Sequence, residues 1–388
     1  MLNGKKLIEI RKGGFVNKGA ELMLHSVLNK LKSEFPDAQY VMNPTTFSGS
    51  APYLKRACLG FYQKVHLYKF GIQFGKFEFL IPLKIREMFG IVLNKDIDIV
   101  IDISGFSYGD QLGKYNTLEL VNSLKKWKKN GTKVILMPQA FGPFESPKIK
   151  KKMRFVIENV DLIYARDQSS FDYLKSVCHK CLNIKKAPDI SILTEGKVSD
   201  DFNILSNQFC IIPNARMIDK TDPKVRKVYL PFLISIAKYL YNKGHKPFIL
   251  VHEGPKDLLL ARKIRDSVSE HVKIIIESDA LIIKAIIGKS SALISSRFHG
   301  VVSGLSQGVP ALATSWSHKY QMLFEDYGFS EGILDLNLSE NELFKKVDMM
   351  LDESKKQKIV KLLNSKNEIL KKESNKMWEE ILHDLKDN

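Results

Sequence analysis

Lys6-Leu7-Ile8-Glu9-Ile10, running into Gly13-Gly14-Phe15-Val16-Asn17-Lys18-Gly19-Ala20-Glu21, is the stretch whose reading sets the fold. The first five residues read as a strand, the glycine-rich run as a turn, and residues 22–31 as a helix. Strand, turn and helix in that order open a doubly wound α/β fold. The turn is not the G-x-G-x-x-G fingerprint, nor does it end in Gly-Lys-Ser/Thr like a phosphate loop. The unit then repeats. Strands over 97–103, 133–137 and 162–165 alternate with helices over 117–129 and 150–159, and Asp167 caps a further helix. A polar run, Gly196-Lys197-Val198-Ser199-Asp200-Asp201, breaks the rhythm. It restarts with strands over 209–212, 246–251, 272–276 and 292–295 and helices over 229–243, 257–268 and 279–287. The pattern predicts two α/β domains facing across a cleft, 1–200 and 201–338, followed by C-terminal helices over 339–388. Those last helices are long enough to pack across both domains, or only to cap the second.

The chain has 388 residues, 44% hydrophobic and 27% charged, enough to give two domains real cores. Sixty basic against 43 acidic residues leave a formal charge of +17. That favours an anionic partner: nucleic acid, a phosphorylated small substrate or an acidic membrane face. No zinc-finger spacing, RNA-binding aromatic signature or helix-turn-helix is present, so nucleic acid is not predicted. Cys178-His179-Lys180-Cys181 lacks a second ligand pair, which argues against zinc and leaves reduced cytoplasmic cysteines as the expectation. The first ten residues are too short and too charged for a signal peptide, and no run of eighteen apolar residues is present. The expected location is cytoplasmic, either free or peripheral on the inner membrane face.

Residues 53–90 depart from the rhythm. Tyr53, Phe61, Tyr62, Tyr68, Phe70, Phe74, Phe77, Phe79 and Phe89 are interleaved with Lys55, Arg56, Lys64, Lys69, Lys76, Lys84 and Arg86, against only Glu78 and Glu87. Two readings fit: a segment resting on an anionic bilayer, or a helix pair whose aromatics fill the core beside the sheet.

In parallel sheets the loops beyond the carboxyl ends of the strands bind ligands. Those loops carry Asn17 and Glu21, Ser104 and Asp110, Gln139, Arg166 and Asp167, Asn214 and Arg216, His252 and Glu253, then Arg297 and His299. Arg216 and Arg297 offer forks that match carboxylate or phosphate oxygens, and an imidazole such as that of His299 can donate or accept a proton near neutral pH. The plainer reading makes Arg216 a loop brace and Asp110, Asp167 and Glu253 caps or ion-pair partners. A serine-hydrolase elbow and a His-Glu-x-x-His helix are both absent from the sequence.

Several ordered blocks carry a family resemblance: Gly14 to Glu21, Asp102-Ile103-Ser104-Gly105, Met137 to Pro143, Ala165-Arg166-Asp167, Ala187-Pro188-Asp189, Ile294 to Gly300, and Trp316-Ser317-His318-Lys319-Tyr320. In this order the chain resembles the polysaccharide pyruvyl transferase family. It departs from the family pattern at Ala20, where an aspartate is usual, and at Phe298, where leucine is frequent. The resemblance implies two Rossmann-like domains in a GT-B-like arrangement, with phosphoenolpyruvate as donor and no further cofactor or metal. It implies transfer of the pyruvyl group as a ketal onto two hydroxyls of a sugar, on a surface polysaccharide or a lipid-linked oligosaccharide. Carried onto this chain, it makes His299 the proton-transfer group, and Arg216, Arg297, Phe298 and Gly300 the donor-binding set. Asn17, Glu21, Ser104, Asp110, Gln139, His252, His318 and Lys319 are then the acceptor or cleft candidates. The alternatives are a nucleotide-sugar-dependent glycosyltransferase on the same frame and a non-catalytic glycan- or membrane-binding protein.

Overall fold

The computed structural model describes residues 5–44, 52–65, 68–69, 72–73, 78, 80–112, 114–197, 205, 207–314 and 318–386. It divides into two compact units, Met1–Ile190 with Glu373–Asn388, and Ser191–Lys372. Each unit holds a parallel sheet with helices packed on it.

In the first unit the sheet order is Ile184–Lys186, Leu162–Ala165, Lys133–Phe141, Ile99–Asp102, Leu7–Arg11, Gln39–Met42, Tyr62–Lys64 and Ile91–Val92. The opening strand, Leu7–Arg11, lies between Gln39–Met42 and Ile99–Asp102, in register Arg11 with Asp102. Strand order reverses there, which marks a ligand crevice in such sheets. All five residues of Leu7–Arg11 are buried, as a central strand covered on both faces requires. The helix predicted over 22–31 starts earlier, at Lys18, because Asn17 caps it by accepting from the Ala20 amide at 3.1 Å.

The second sheet runs Lys273–Ile276, Phe248–Val251, Phe209–Ile212, Ala292–Ser295, Ala311–Thr314, Ile333–Leu334. Its reversal falls between Phe209–Ile212 and Ala292–Ser295, in register Ile212 with Ser295. Helix Pro223–Asn242 starts behind the Asp222 cap and buries Tyr229, Phe232, Leu233, Ile236 and Leu240, one stripe at helical spacing. Gly300 lets helix Phe298–Leu305 pack against the switch-point strands, because a Cβ there would sit 2.8 Å from Ser295 Oγ and 3.2 Å from Ile212 Cδ1.

The C-terminal segment forms helices Glu340–Leu351, with a Ser339/Glu342 capping box, and Glu353–Lys386. Asn367 donates to the Leu305 carbonyl within the second unit, at 2.8 Å. Further along the same helix, Glu380 accepts from the Tyr164 hydroxyl within the first unit, at 2.7 Å. The long helix therefore contributes packing to both units rather than only capping the second.

Two expectations change. Cys178 and Cys181 form a disulfide, whereas reduced thiols were expected; a free Cys58 is exposed and a free Cys210 buried. The core-filling helix pair over 53–90 forms only in part: Phe61 is buried and Tyr62 packs against the core, whereas Tyr53 and Phe89 are exposed. Helices Tyr53–Cys58 and Leu83–Phe89 are joined through short strands, and Leu83–Phe89 buries none of its residues. Phe70, Phe74, Lys76, Phe77 and Phe79 lie outside the described residues. Among the described residues no helix is long and apolar enough to cross a membrane.

Candidate functional site

The second unit gathers its polar residues where the strands end. Phe209–Ile212 leads to Asn214 and Arg216, Phe248–Val251 to His252 and Glu253, and Ala292–Ser295 to Arg297 and His299. The loops are tied to one another. Asn214 donates its side-chain amide to the Ser296 carbonyl at 2.7 Å, and the Tyr320 hydroxyl donates to the same carbonyl at 2.9 Å. Tyr229 Oη accepts from the Asn214 backbone at 2.8 Å and donates to Ser296 Oγ at 2.7 Å. Burial raises the Tyr229 hydroxyl well above its ordinary pKa, so it stays protonated as a donor.

Asp257 anchors this cluster. Fully buried, it accepts from the Ala215 amide at 2.9 Å and the Glu253 amide at 3.1 Å. It also takes Arg297 side-on, with Nε to Oδ2 at 3.1 Å and Nη2 to Oδ2 at 2.6 Å, while Arg297 Nη1 donates to Glu253. Burial pushes the Asp257 carboxyl up from its ordinary value and Arg297 pulls it back down. Arg297 is therefore a buried brace between two carboxylates, not an open fork for an anion. Asp257 escaped the sequence reading, where it stood only as the start of a predicted helix; an acid three residues after the Gly254 start of that helix is an ordinary first-turn residue.

The remaining candidates of this unit sit around that brace. Arg216 is exposed at the start of helix Arg216–Asp219, and His252 is buried just past its strand. His299 is half-buried in the first turn of helix Phe298–Leu305, whose N-cap, Arg297, makes no side-chain capping bond. The Phe298 ring packs edge-on to His299 and to Tyr320, and Lys319 Nζ lies 5.1 Å from its centroid. His318 opens the next helix and its side chain lies outside the described residues.

The first unit builds a second polar centre at its own switch point. Arg11 Nε lies 3.0 Å from Asp102 Oδ2, and Arg11 Nη2 donates to Glu119 at 2.5 Å. The Tyr108 hydroxyl donates to Asp102 at 2.7 Å, and the Ser104 hydroxyl donates to its other oxygen at 2.5 Å. Gln139 Oε1 accepts from Ser104 Oγ at 2.7 Å, which brings these two side chains together. Beneath them Lys64 donates to Glu9 at 2.5 Å; burial lowers the Lys64 pKa and Glu9 opposes that shift. Glu21 is buried and held by Lys18 at 2.6 Å, which makes it a local ion-pair partner. Asp110 accepts from the Glu145 and Ser146 amides and clasps two loops. Among the described residues, no group of three or more His, Cys, Asp or Glu is arranged to hold a metal.

Solved structures with the same fold are numerous and distant in sequence. UDP-GlcNAc 2-epimerase from Neisseria meningitidis, bound to UDP-GlcNAc, matches with a TM-score of 0.58 at 11% identity, over 96% of this chain and 100% of its own. The Anabaena protein Alr3699/HepE, in complex with UDP and glucose, matches with a TM-score of 0.57 at 11% identity, over 99% and 100%. The UDP-GlcNAc 2-epimerase of Methanocaldococcus jannaschii gives 0.58 at 12% identity, over 92% and 99%. The chain thus has a two-domain, GT-B-like enzyme fold. No curated protein matches it significantly. Phosphoenolpyruvate as donor, with a pyruvyl ketal as product, is corrected by these findings. The structures named above are two UDP-GlcNAc 2-epimerases and a complex with UDP and glucose, and Arg297, central to the expected donor clamp, is engaged by Asp257 and Glu253. Lineage is a separate matter from donor: the sequence profile described as polysaccharide pyruvyl transferase matches residues 17–318, and the chain belongs to that family.

Proposed function

We propose that this protein is a nucleotide-sugar-dependent transferase of GT-B-like fold, whose donor binds through its diphosphate in the second unit. The observation that carries the reading is a frame shared over nearly the whole chain with proteins solved with UDP or UDP-GlcNAc. Local geometry supports it. The start of helix Phe298–Leu305 lies at the switch point, where backbone N–H groups and the helix dipole favour a phosphate. Gly300 keeps side-chain bulk away from that turn, and exposed Arg216 supplies a cation from the neighbouring strand end. Lys319 adds charge beside the Phe298 ring.

His299 is the proton-transfer group in this reading. Half-buried in the first helical turn, it accepts the proton of a sugar hydroxyl as that oxygen attacks the donor, and the diphosphate leaves toward the helix start. Asp257, Tyr229 and Ser296 position the loops and do not touch the substrate. Asn17, Ser104 and Gln139 are the acceptor candidates of the first unit.

Calorimetric titration of UDP, UDP-GlcNAc and phosphoenolpyruvate into the wild type and Arg216→Ala tests this. Saturable UDP binding, about ten- to a hundredfold weaker in the variant, is expected, since one charge-assisted hydrogen bond is worth about 1.5–3 kcal/mol. Saturation by phosphoenolpyruvate with no heat from either nucleotide overturns the proposal.

A further inference from the structure

Of the fifteen large hydrophobic residues exposed among the described residues, seven fall between positions 53 and 90. Five of them lie within ten residues: Leu80 (65% exposed), Leu83 (47%), Ile85 (39%), Met88 (63%) and Phe89 (60%). Helix Leu83–Phe89 is consequently not held by an apolar face. At about 100° per residue, Ile85, Met88 and Phe89 share one arc of about 100°, with Lys84 at its border. Arg86 projects from a different side of the helix and is engaged by Asp96 at 3.2 Å. The charged side fastens the helix to the unit, and the apolar side is left to solvent.

The position in the fold is equally specific. Gly90, at φ 59°, ends the helix and feeds the edge strand Ile91–Val92, and its carbonyl accepts from the Gln63 amide of the adjacent strand at 2.8 Å. That adjacent strand, Tyr62–Lys64, is preceded by helix Tyr53–Cys58, which exposes Tyr53 (65%) and Leu54 (72%). Two short helices with exposed apolar residues thus run into neighbouring strands at one sheet edge. A patch of this kind rimmed by charge marks an interaction surface.

Charge selects the occupant. Residues 53–90 carry seven Lys and Arg against two acids, Glu78 and Glu87, in a chain of net charge +17; of the seven, Arg56 and Lys64 are buried and Arg86 is engaged by Asp96. Glu78 is already spent on the Asn94 backbone and side-chain amides, at 3.2 and 2.8 Å. Lys84 is exposed, and Lys55 remains 43% exposed although it lies 3.7 Å from Glu21. A second copy of this face would bring basic against basic. We propose that this edge is a docking surface for an anionic lipid bilayer, with Ile85, Met88 and Phe89 entering the headgroup region and Lys84 and Lys55 meeting acidic headgroups. The inference is independent of which donor the protein uses.

Co-sedimentation of the full chain with phosphatidylcholine vesicles containing phosphatidylglycerol, and with phosphatidylcholine alone, tests it. The wild type is expected to sediment with the anionic vesicles only, and to be released by salt that shortens the Debye length to ~3 Å. Met88→Ser combined with Phe89→Ser is expected to lower partitioning about tenfold, and Lys84→Glu by a similar factor. Both variants change exposed side chains, and an unchanged thermal midpoint confirms that they fold. Absence of the wild type from anionic pellets overturns the proposal, as does equal partitioning of the Met88/Phe89 variant. So does a vesicle-free dimer that the double substitution abolishes, which would assign the face to a second copy.

Discussion

Replacing Asp257 with alanine isolates the brace on which the second unit's loops depend. The substitution removes the carboxylate that receives Arg297 Nε and Nη2 and the Ala215 and Glu253 amides, all in a buried setting. Arg297 is 8% exposed, so its charge cannot turn to water and only Glu253 remains to it. Removing one partner of a buried ion pair costs about 3–5 kcal/mol, because the other charge stays desolvated and unpaired. With a urea dependence of roughly 2–3 kcal/mol per molar for a unit of this size, the midpoint should fall by about 1–2 M. The two units need not unfold together, so the assay must report on the second alone. Hydrogen exchange of peptides spanning residues 209–216 and 292–305, followed through urea, meets that need. Arg297→Met added to Asp257→Ala should recover much of the loss, since the stranded charge is gone. A single-variant loss below about 1 kcal/mol, or a double variant no better than the single, refutes the buried brace and reopens Arg297 as an anion fork.

Gly300→Ala should lower the stability of the second unit by about 1–3 kcal/mol, because the new methyl presses on Ser295 Oγ at 2.8 Å and Ile212 Cδ1 at 3.2 Å; an unchanged melting midpoint contradicts that packing. At the C-terminal helices, the Ser339 side chain and backbone hold the Glu342 carboxyl below its ordinary pKa. A depressed carboxylate contributes stability above its unfolded pKa and loses it as pH falls through the folded one. Ser339→Ala should therefore move the Glu342 titration, followed by carbon-detected NMR, part of the way toward the ordinary glutamate value and weaken that acid-side dependence, the backbone N–H bond remaining; an unmoved titration speaks against the capping box.

Much of the frame was legible from residue order. Strands 162–165, 209–212 and 292–295 form over those residues, because short apolar runs bounded by polar loops admit one extended reading. Asp167 caps helix Gln168–Val177 as predicted, since an N-cap is a contact between near neighbours in sequence. Helix starts were misplaced where a cap lay upstream of the apolar stripe, as at Asn17 and Asp222. The strand Tyr62–Lys64 and the edge strand Ile91–Val92 went unread because two or three residues carry no periodicity.

By itself the sequence determined the α/β alternation, the ordered family blocks and the strand ends at which polar residues gather. These rest on periodicity and on turn chemistry, which act over a few residues. Tertiary structure alone decided what those polar residues can do. Arg297 finds Asp257 forty positions away, Lys64 finds Glu9 fifty-five positions away, and Arg11 finds Glu119 across more than a hundred. Whether a guanidinium is an open fork or an occupied brace depends on which buried carboxylate the sheet register sets beside it. Whether Met88 and Phe89 are core or surface likewise depends on whether another layer covers that edge. Both are long-range packing outcomes, and residue spacing along the chain does not encode them.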